Sequence, residues 1–166
     1  MVEKKRLLAV IIIVVLVASG AFYFFQSEEN KVIRRINLLA DKVSKEGTEP
    51  AVIMAQRVSK IAEIFADICD IESDRHNLFR QYRRDEIRSY VASARARFQS
   101  LSLDFLDIQV EFPSKNLATA RLTGMFSGIN KSGEIFDETI ELEMELVKVD
   151  SEWFIRRIKA VEVLER

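Results

Sequence analysis

From Leu7 to Phe25 the chain carries no charged side chain, between Met1-Val-Glu-Lys-Lys-Arg6 and Gln26-Ser-Glu-Glu29. A helix rising about 1.5 Å per residue needs about twenty apolar residues to cross the roughly 30 Å hydrocarbon layer, so this pattern predicts one transmembrane helix. A cleaved secretory signal is the alternative, because Lys4-Lys5-Arg6 makes a charged leader and Val17-Ala-Ser-Gly-Ala21 offers small residues near a cleavage point. The run continues through Phe22-Tyr-Phe-Phe25, which suits an interfacial aromatic belt better than the start of a mature chain. Three basic residues flush against the apolar run put the N-terminus in the cytoplasm; in a bacterium that predicts a single pass through the inner membrane and a periplasmic remainder.

Beyond the anchor the period of apolar positions is first helical and then strand-like. Val32, Ile33, Ile36, Leu39, Ala40 and Val43 follow three-and-four spacing, which predicts a helix over Glu28–Glu46 ending before Gly47. Thr48-Glu-Pro50 restarts helix with Pro50 in the first turn, and Val58, Ile61, Ala62, Phe65, Ile68 and Cys69 form the expected buried stripe. Asp70 to Tyr82 has no assignable pattern. A third helix is expected from Asp85 to about Gln99, with Ile87, Tyr90, Val91, Ala94, Phe98 and Leu101 on one face and Arg88 and Arg95 toward solvent.

The period then changes to two. Leu106, Ile108, Val110 and Phe112 alternate with polar residues, while Leu103 and Phe105 sit in the opposite phase, a slip that predicts a β-bulge. Ala118, Ala120, Leu122, Gly124 and Phe126 alternate next, then Ile140, Leu142, Met144 and Leu146, and finally Trp153, Ile155, Ile158, Val161 and Val163. Loops are expected at Pro113–Asn116, Gly128–Gly133 and Asp150–Glu152. The expected architecture is α+β: a transmembrane helix over residues 1–27, then over 28–166 three helices packed on a curved antiparallel sheet of about four strands.

Composition narrows the function. The net charge of −1 argues against a nucleic-acid binder, although seven Arg fall between Arg75 and Arg97 against Asp85 and Glu86, and the Asp104–Glu152 stretch is acidic. With Cys69 as the only cysteine no intramolecular disulfide can form, and a buried, inert thiol is expected. One His and one Cys cannot close a zinc site, and neither a Gly-rich phosphate loop nor a nucleophile elbow is present, so no metal, cofactor or catalytic residue is predicted. The Glu141, Glu143, Glu145 row is expected to face water and to pair with Arg121, Arg156 or Lys159.

Three helices followed by long bent strands, with Asp85-Glu-Ile-Arg-Ser-Tyr-Val, Asn116-Leu-Ala-Thr-Ala-Arg-Leu and Val147-Lys-Val-Asp-Ser-Glu-Trp-Phe-Ile, resemble the nuclear transport factor 2-like superfamily, the cystatin-like α+β cone. The resemblance implies a sheet curled around a pocket under the helices, in a superfamily whose members include isomerases, cyclases, dehydratases and secretion-system subunits, so it does not decide function. An isomerase-like site would require an inward carboxylate, and Asp104 is out of phase with Leu103 and Phe105 before the slip, as Asp107 is with Leu106-Ile108-Val110 after it; a dehydratase-like site would call on His76. Tyr90, Phe98, Leu122, Phe126, Met144 and Trp153 are the expected pocket lining. The sequence therefore predicts a membrane-anchored, extracytoplasmic binding or assembly module without catalysis, dimeric or part of a membrane complex and associating through an apolar Ile140-Leu142-Met144-Leu146 patch. The alternative is a binder of a small apolar ligand, or an enzyme of the isomerase, cyclase or dehydratase kind.

Overall fold

A computed structural model of the chain describes residues 2–73 and 78–161. Helix α1 runs unbroken over Val2–Val43, and the chain divides into two compact units, Met1–Lys31 and Val32–Arg166. In the first unit the Lys31 ammonium pairs with Glu28 one turn earlier, at 2.7 Å. The transmembrane assignment of Leu7–Phe25 is not supported: the backbone there is helical, most of its side chains lie outside the described ones, and among the described residues no helix is long and apolar enough to cross a membrane.

In the second unit the end of α1 is followed by α2 (Ala51–Ala62), β1 (Phe65–Ser73), β2 (Leu78–Arg83), α3 (Arg84–Arg97), β3 (Phe98–Ser114), β4 (Leu117–Asn130), β5 (Ile135–Val149) and β6 (Glu152–Val161). The six strands form one sheet in the order β2-β1-β6-β5-β4-β3, antiparallel except where β1 runs parallel to β6. The α+β class and the three helices agree with the sequence reading; the expected four strands become six. Phe65, Ile68 and Cys69 belong to β1 and not to the second helix, whose last residue is Ala62. Their spacing continues the helical rhythm of Val58 and Ile61, but pairing with β6 and β2 outweighs it, and the Ile155 amide donates to the Ile64 carbonyl where the chain turns into the strand.

The expected bulge is present. Asp107 has φ of 53° and the β3–β4 register shifts between Leu106 and Gln109. The slip falls one residue later than the phase suggested, so Leu106 faces outward, 46 % exposed, while Ile108, Val110 and Phe112 pack on the core. Gly128 belongs to β4 and not to the following loop; the turn is made by Asn130, whose side-chain oxygen accepts the amides of Ser132 and Glu134, both at 2.9 Å, with Gly133 at φ of 84°. Asp150 and Ser151, at φ of 48° and 72°, form the tight hairpin between β5 and β6. Val163 lies outside the described residues.

Arg95 reverses its expected orientation. Counting Arg as polar placed it in solvent, yet it is 1 % exposed. Its guanidinium donates to the carbonyls of Lys42 (2.8 Å) and Val43 and to the Glu49 carboxylate (2.6 Å), so it satisfies the acceptor end of α1 and ties it to the segment entering α2. The Lys45 ammonium reaches the carbonyls of Arg95 (3.1 Å) and Phe98 (2.9 Å), and the Lys45 backbone pairs with Leu101, covering that end of the β3 edge.

Candidate functional site on the helix-covered face of the sheet

Strand alternation puts Ala118, Ala120 and Leu122 of β4, Met144 and Leu146 of β5, and Trp153 and Ile155 of β6 on one face. Val32, Ile36 and Leu39 of α1, Ile61 of α2 and Ile87 of α3 close over them, and together with Cys69 they form one buried apolar cluster. The small residues are at β4, and at Gly124 the neighbouring strand crowds in: a Cβ there would lie 2.9 Å from the Leu142 Cδ1. The deep part of this face is thus filled by side chains.

Other apolar residues around this face, on the strands and on α3, are only partly covered. Ile71, Tyr82, Val91, Phe105, Leu142 and Ile158 pack against the buried cluster without being enclosed by it. The Tyr82 ring meets Tyr90 edge-on at 5.2 Å between centroids, and Tyr90 itself is 53 % exposed. These residues make a half-covered apolar strip beside the filled core.

The expected lining residues separate accordingly. Leu122, Met144 and Trp153 are buried in the cluster, with Trp153 tilted against Phe112 at 5.8 Å. Phe98 and Phe126 meet edge to face at 5.7 Å at another end of the same face, beside Phe136. Tyr90 stands apart from both groups, on the outer side of the strip. The Ile140-Leu142-Met144-Leu146 set, expected as an exposed association patch, points under the helices instead, with Met144 and Leu146 fully buried.

Little acid–base chemistry reaches this face. Among the described residues of the unit, the buried polar side chains are Lys45, Ser73 and Arg95, the two cations being held by backbone carbonyls and Glu49. Asp104 is exposed and accepts the Ser102 hydroxyl at 3.1 Å, and Asp107 is exposed within the bulge. Cys69 is fully buried and free, its thiol pushed up to about 12 by burial and then by the charge of Asp70, so it stays protonated and unreactive at neutral pH. His76 lies outside the described residues. Among the described residues no group of His, Cys, Asp and Glu is placed to hold a metal ion.

The opposite face of the sheet is a charge ladder. Arg121 pairs with Glu143 at 3.5 Å, Thr123 donates to Glu141 at 2.8 Å, and Glu145 accepts from Arg156 (2.6 Å) and Arg157 (3.1 Å), which also reaches Glu72 at 2.8 Å. The hydrogen bond from Arg156, reinforced by Arg157, holds the Glu145 carboxyl below its ordinary range despite partial burial. The pairing expected for Arg121 and Arg156 is therefore present, with Arg157 added; its position next to Arg156 across the Glu145/Leu146 register shift gives both cations access to one carboxylate.

Ile71, Arg80 and Tyr82 were missed by sequence reasoning because they fall in the unassigned stretch. The signal available was the alternation Leu78, Arg80, Tyr82, too short and too mixed in polarity to be read as a strand before its partner β1 was known.

No family model and no curated protein matches the chain. Solved structures do match. A candidate aromatic ring hydroxylase from Novosphingobium aromaticivorans superposes with a TM-score of 0.68 at 13% identity, covering 84% of this chain and 91% of that one. A candidate scytalone dehydratase from the same species gives 0.65 at 16% identity, over 84% and 86%. A nuclear transport factor 2-like superfamily protein from Salmonella enterica gives 0.66 at 13% identity, over 85% and 94%. The chain thus shares the nuclear transport factor 2-like fold with structures of very different sequence.

Proposed function

We propose that the Val32–Arg166 unit binds a small apolar molecule on the half-covered strip of its helix-covered face, without acid–base chemistry supplied by its buried residues. The observation that carries this reading is the strip itself: Ile71, Phe105, Leu142 and Ile158 are apolar, share one face, and are left partly open above a filled core. Burial of Met144 and Leu146 under the helices leaves only Ile140 and Leu142 of the patch on which an assembly role was to rest partly accessible. The neighbours named as a hydroxylase and a dehydratase favour a small-molecule surface over an assembly surface, although a shared fold alone transfers no reaction. Proton transfer would require a positioned base, and the described carboxylates Asp104 and Asp107 lie away from this face.

The test is titration of the full-length chain with 1-anilinonaphthalene-8-sulfonate. Saturable binding near one equivalent is expected, weakened about tenfold or more by Leu142→Ser and unchanged by Phe79→Ser, a control residue 75 % exposed on the edge strand. Equal effects of the two substitutions, with native circular dichroism in both, would remove the strip from consideration.

A second reading concerns location. From the sequence alone we propose attachment to a membrane, because the uncharged run Leu7–Phe25 has the length of a single pass and Lys4, Lys5 and Arg6 before it would leave the folded unit on the periplasmic side. Full-length chain should then stay with the membrane pellet through alkaline carbonate extraction; release into the supernatant would overturn the attachment.

A further inference from the structure

We propose that the ligand of the strip is an anionic amphiphile, a carboxylate or sulfonate on an apolar chain, with Arg80 receiving the charged head; this deepens the apolar-ligand reading above and rests on it. The cross-strand register carries the argument. Arg80 of β2 stands directly opposite Ile71 of β1, Ile71 opposite Ile158 of β6, and Ile158 opposite Met144 of β5. Ile71, Ile158 and Met144 all belong to the helix-covered apolar face, and pleat alternation places Arg80 on that face with Tyr82, over whose ring its guanidinium lies at 5.0 Å. One row of neighbours therefore begins in a cation at the sheet edge and continues into half-covered and then buried apolar side chains.

Arg80 has no carboxylate partner among the described residues, and it shares this with Arg83, which alternation places on the other face of the same strand. Arg84 pairs with Asp67 at 3.2 Å, Arg88 approaches Asp85 at 3.9 Å, Arg95 holds Glu49 and Arg157 holds Glu72 and Glu145. The nearby Glu86 carboxylate is engaged by the Arg83 backbone amide at 2.8 Å. A guanidinium stacked on an aromatic ring keeps its N–H fork free for a planar anion, which it binds with two parallel hydrogen bonds. At strand spacing of about 4.8 Å, the row from Arg80 to Ile158 spans two strand intervals, or roughly 10 Å, the length of a chain of about eight carbons. An uncharged hydrocarbon would use the strip and leave Arg80 idle; an alkylammonium would be repelled by it.

Calorimetric titration of the full-length chain with octanoate and with octan-1-ol separates these cases. Octanoate is expected to bind about tenfold more tightly than octanol, and Arg80→Gln to abolish that preference while leaving octanol affinity unchanged. Arg83→Gln, which removes the same net charge from the same strand, should leave the preference intact. Equal binding of the two probes to the unaltered chain, or an equal loss in both variants, overturns the role of Arg80 and leaves the apolar strip standing. Failure of both probes to bind overturns the apolar-ligand reading together with this one.

Discussion

Replacing Arg95 with methionine should destabilise the Val32–Arg166 unit by about 3–5 kcal/mol, the range for removing one partner of a buried ion pair. The guanidinium is 1 % exposed and serves three acceptors at once. Its loss strands two carbonyls at the end of α1 and leaves the Glu49 carboxylate, itself only 10 % exposed, without its shorter partner. Arg57 still reaches Glu49 at 3.3 Å, which places the expected value toward the lower end. Against a typical domain stability of about 5–15 kcal/mol this is a large fraction, so the urea midpoint should fall steeply with an unchanged slope. Adding Glu49→Leu to Arg95→Met should recover part of the loss, because the desolvated charge goes with it. A loss under about 1 kcal/mol in the single variant would mean that water already serves those acceptors in the folded chain.

That arginine also marks where sequence reasoning stopped. Alternation in the last three strands was legible because both faces of an antiparallel ladder have a fixed polarity here: Glu141, Glu143 and Glu145 on one side and Leu142, Met144 and Leu146 on the other. The bulge near Asp107 was legible for the same reason, since a phase slip in a period-two pattern has few other causes. Local periodicity carries no information about pairing partners, and β1 shows the cost: Phe65 and Cys69 keep helical spacing from Ile61 and become strand only through contacts with Ile155 and Tyr82 far along the chain. Arg95 failed differently, because its burial depends on the free carbonyls of another helix. The same limit applies to the candidate site. Leu122, Met144 and Trp153 were expected to line a pocket and lie buried in the core; whether such residues line a space or fill it depends on helix positions that periodicity does not carry.

That filled interior gives the second large effect. Met144→Ala should cost about 2–5 kcal/mol and at the same time increase binding of small apolar molecules. Met144 is 1 % exposed and sits in register between Ala120 and Ile158, so its small neighbour on β4 has only a methyl group, too short to close the space. A dry cavity lined by apolar groups admits benzene-sized molecules, and this one would open beside Ile158 and Leu142, on the floor of the half-covered strip. Leu146→Ala, two residues along β5 toward Trp153, removes a similar buried volume between Ala118 and Ile155 and should cost about as much. It lies away from the strip and should not improve binding. The comparison is made by urea denaturation and by benzene titration of both variants. A gain confined to Met144→Ala would join the core and the strip into one apolar site. Equal gains would make any cavity in this core a benzene site and leave the strip with no special standing, and no gain would mean that Ile158 and Leu142 collapse into the space.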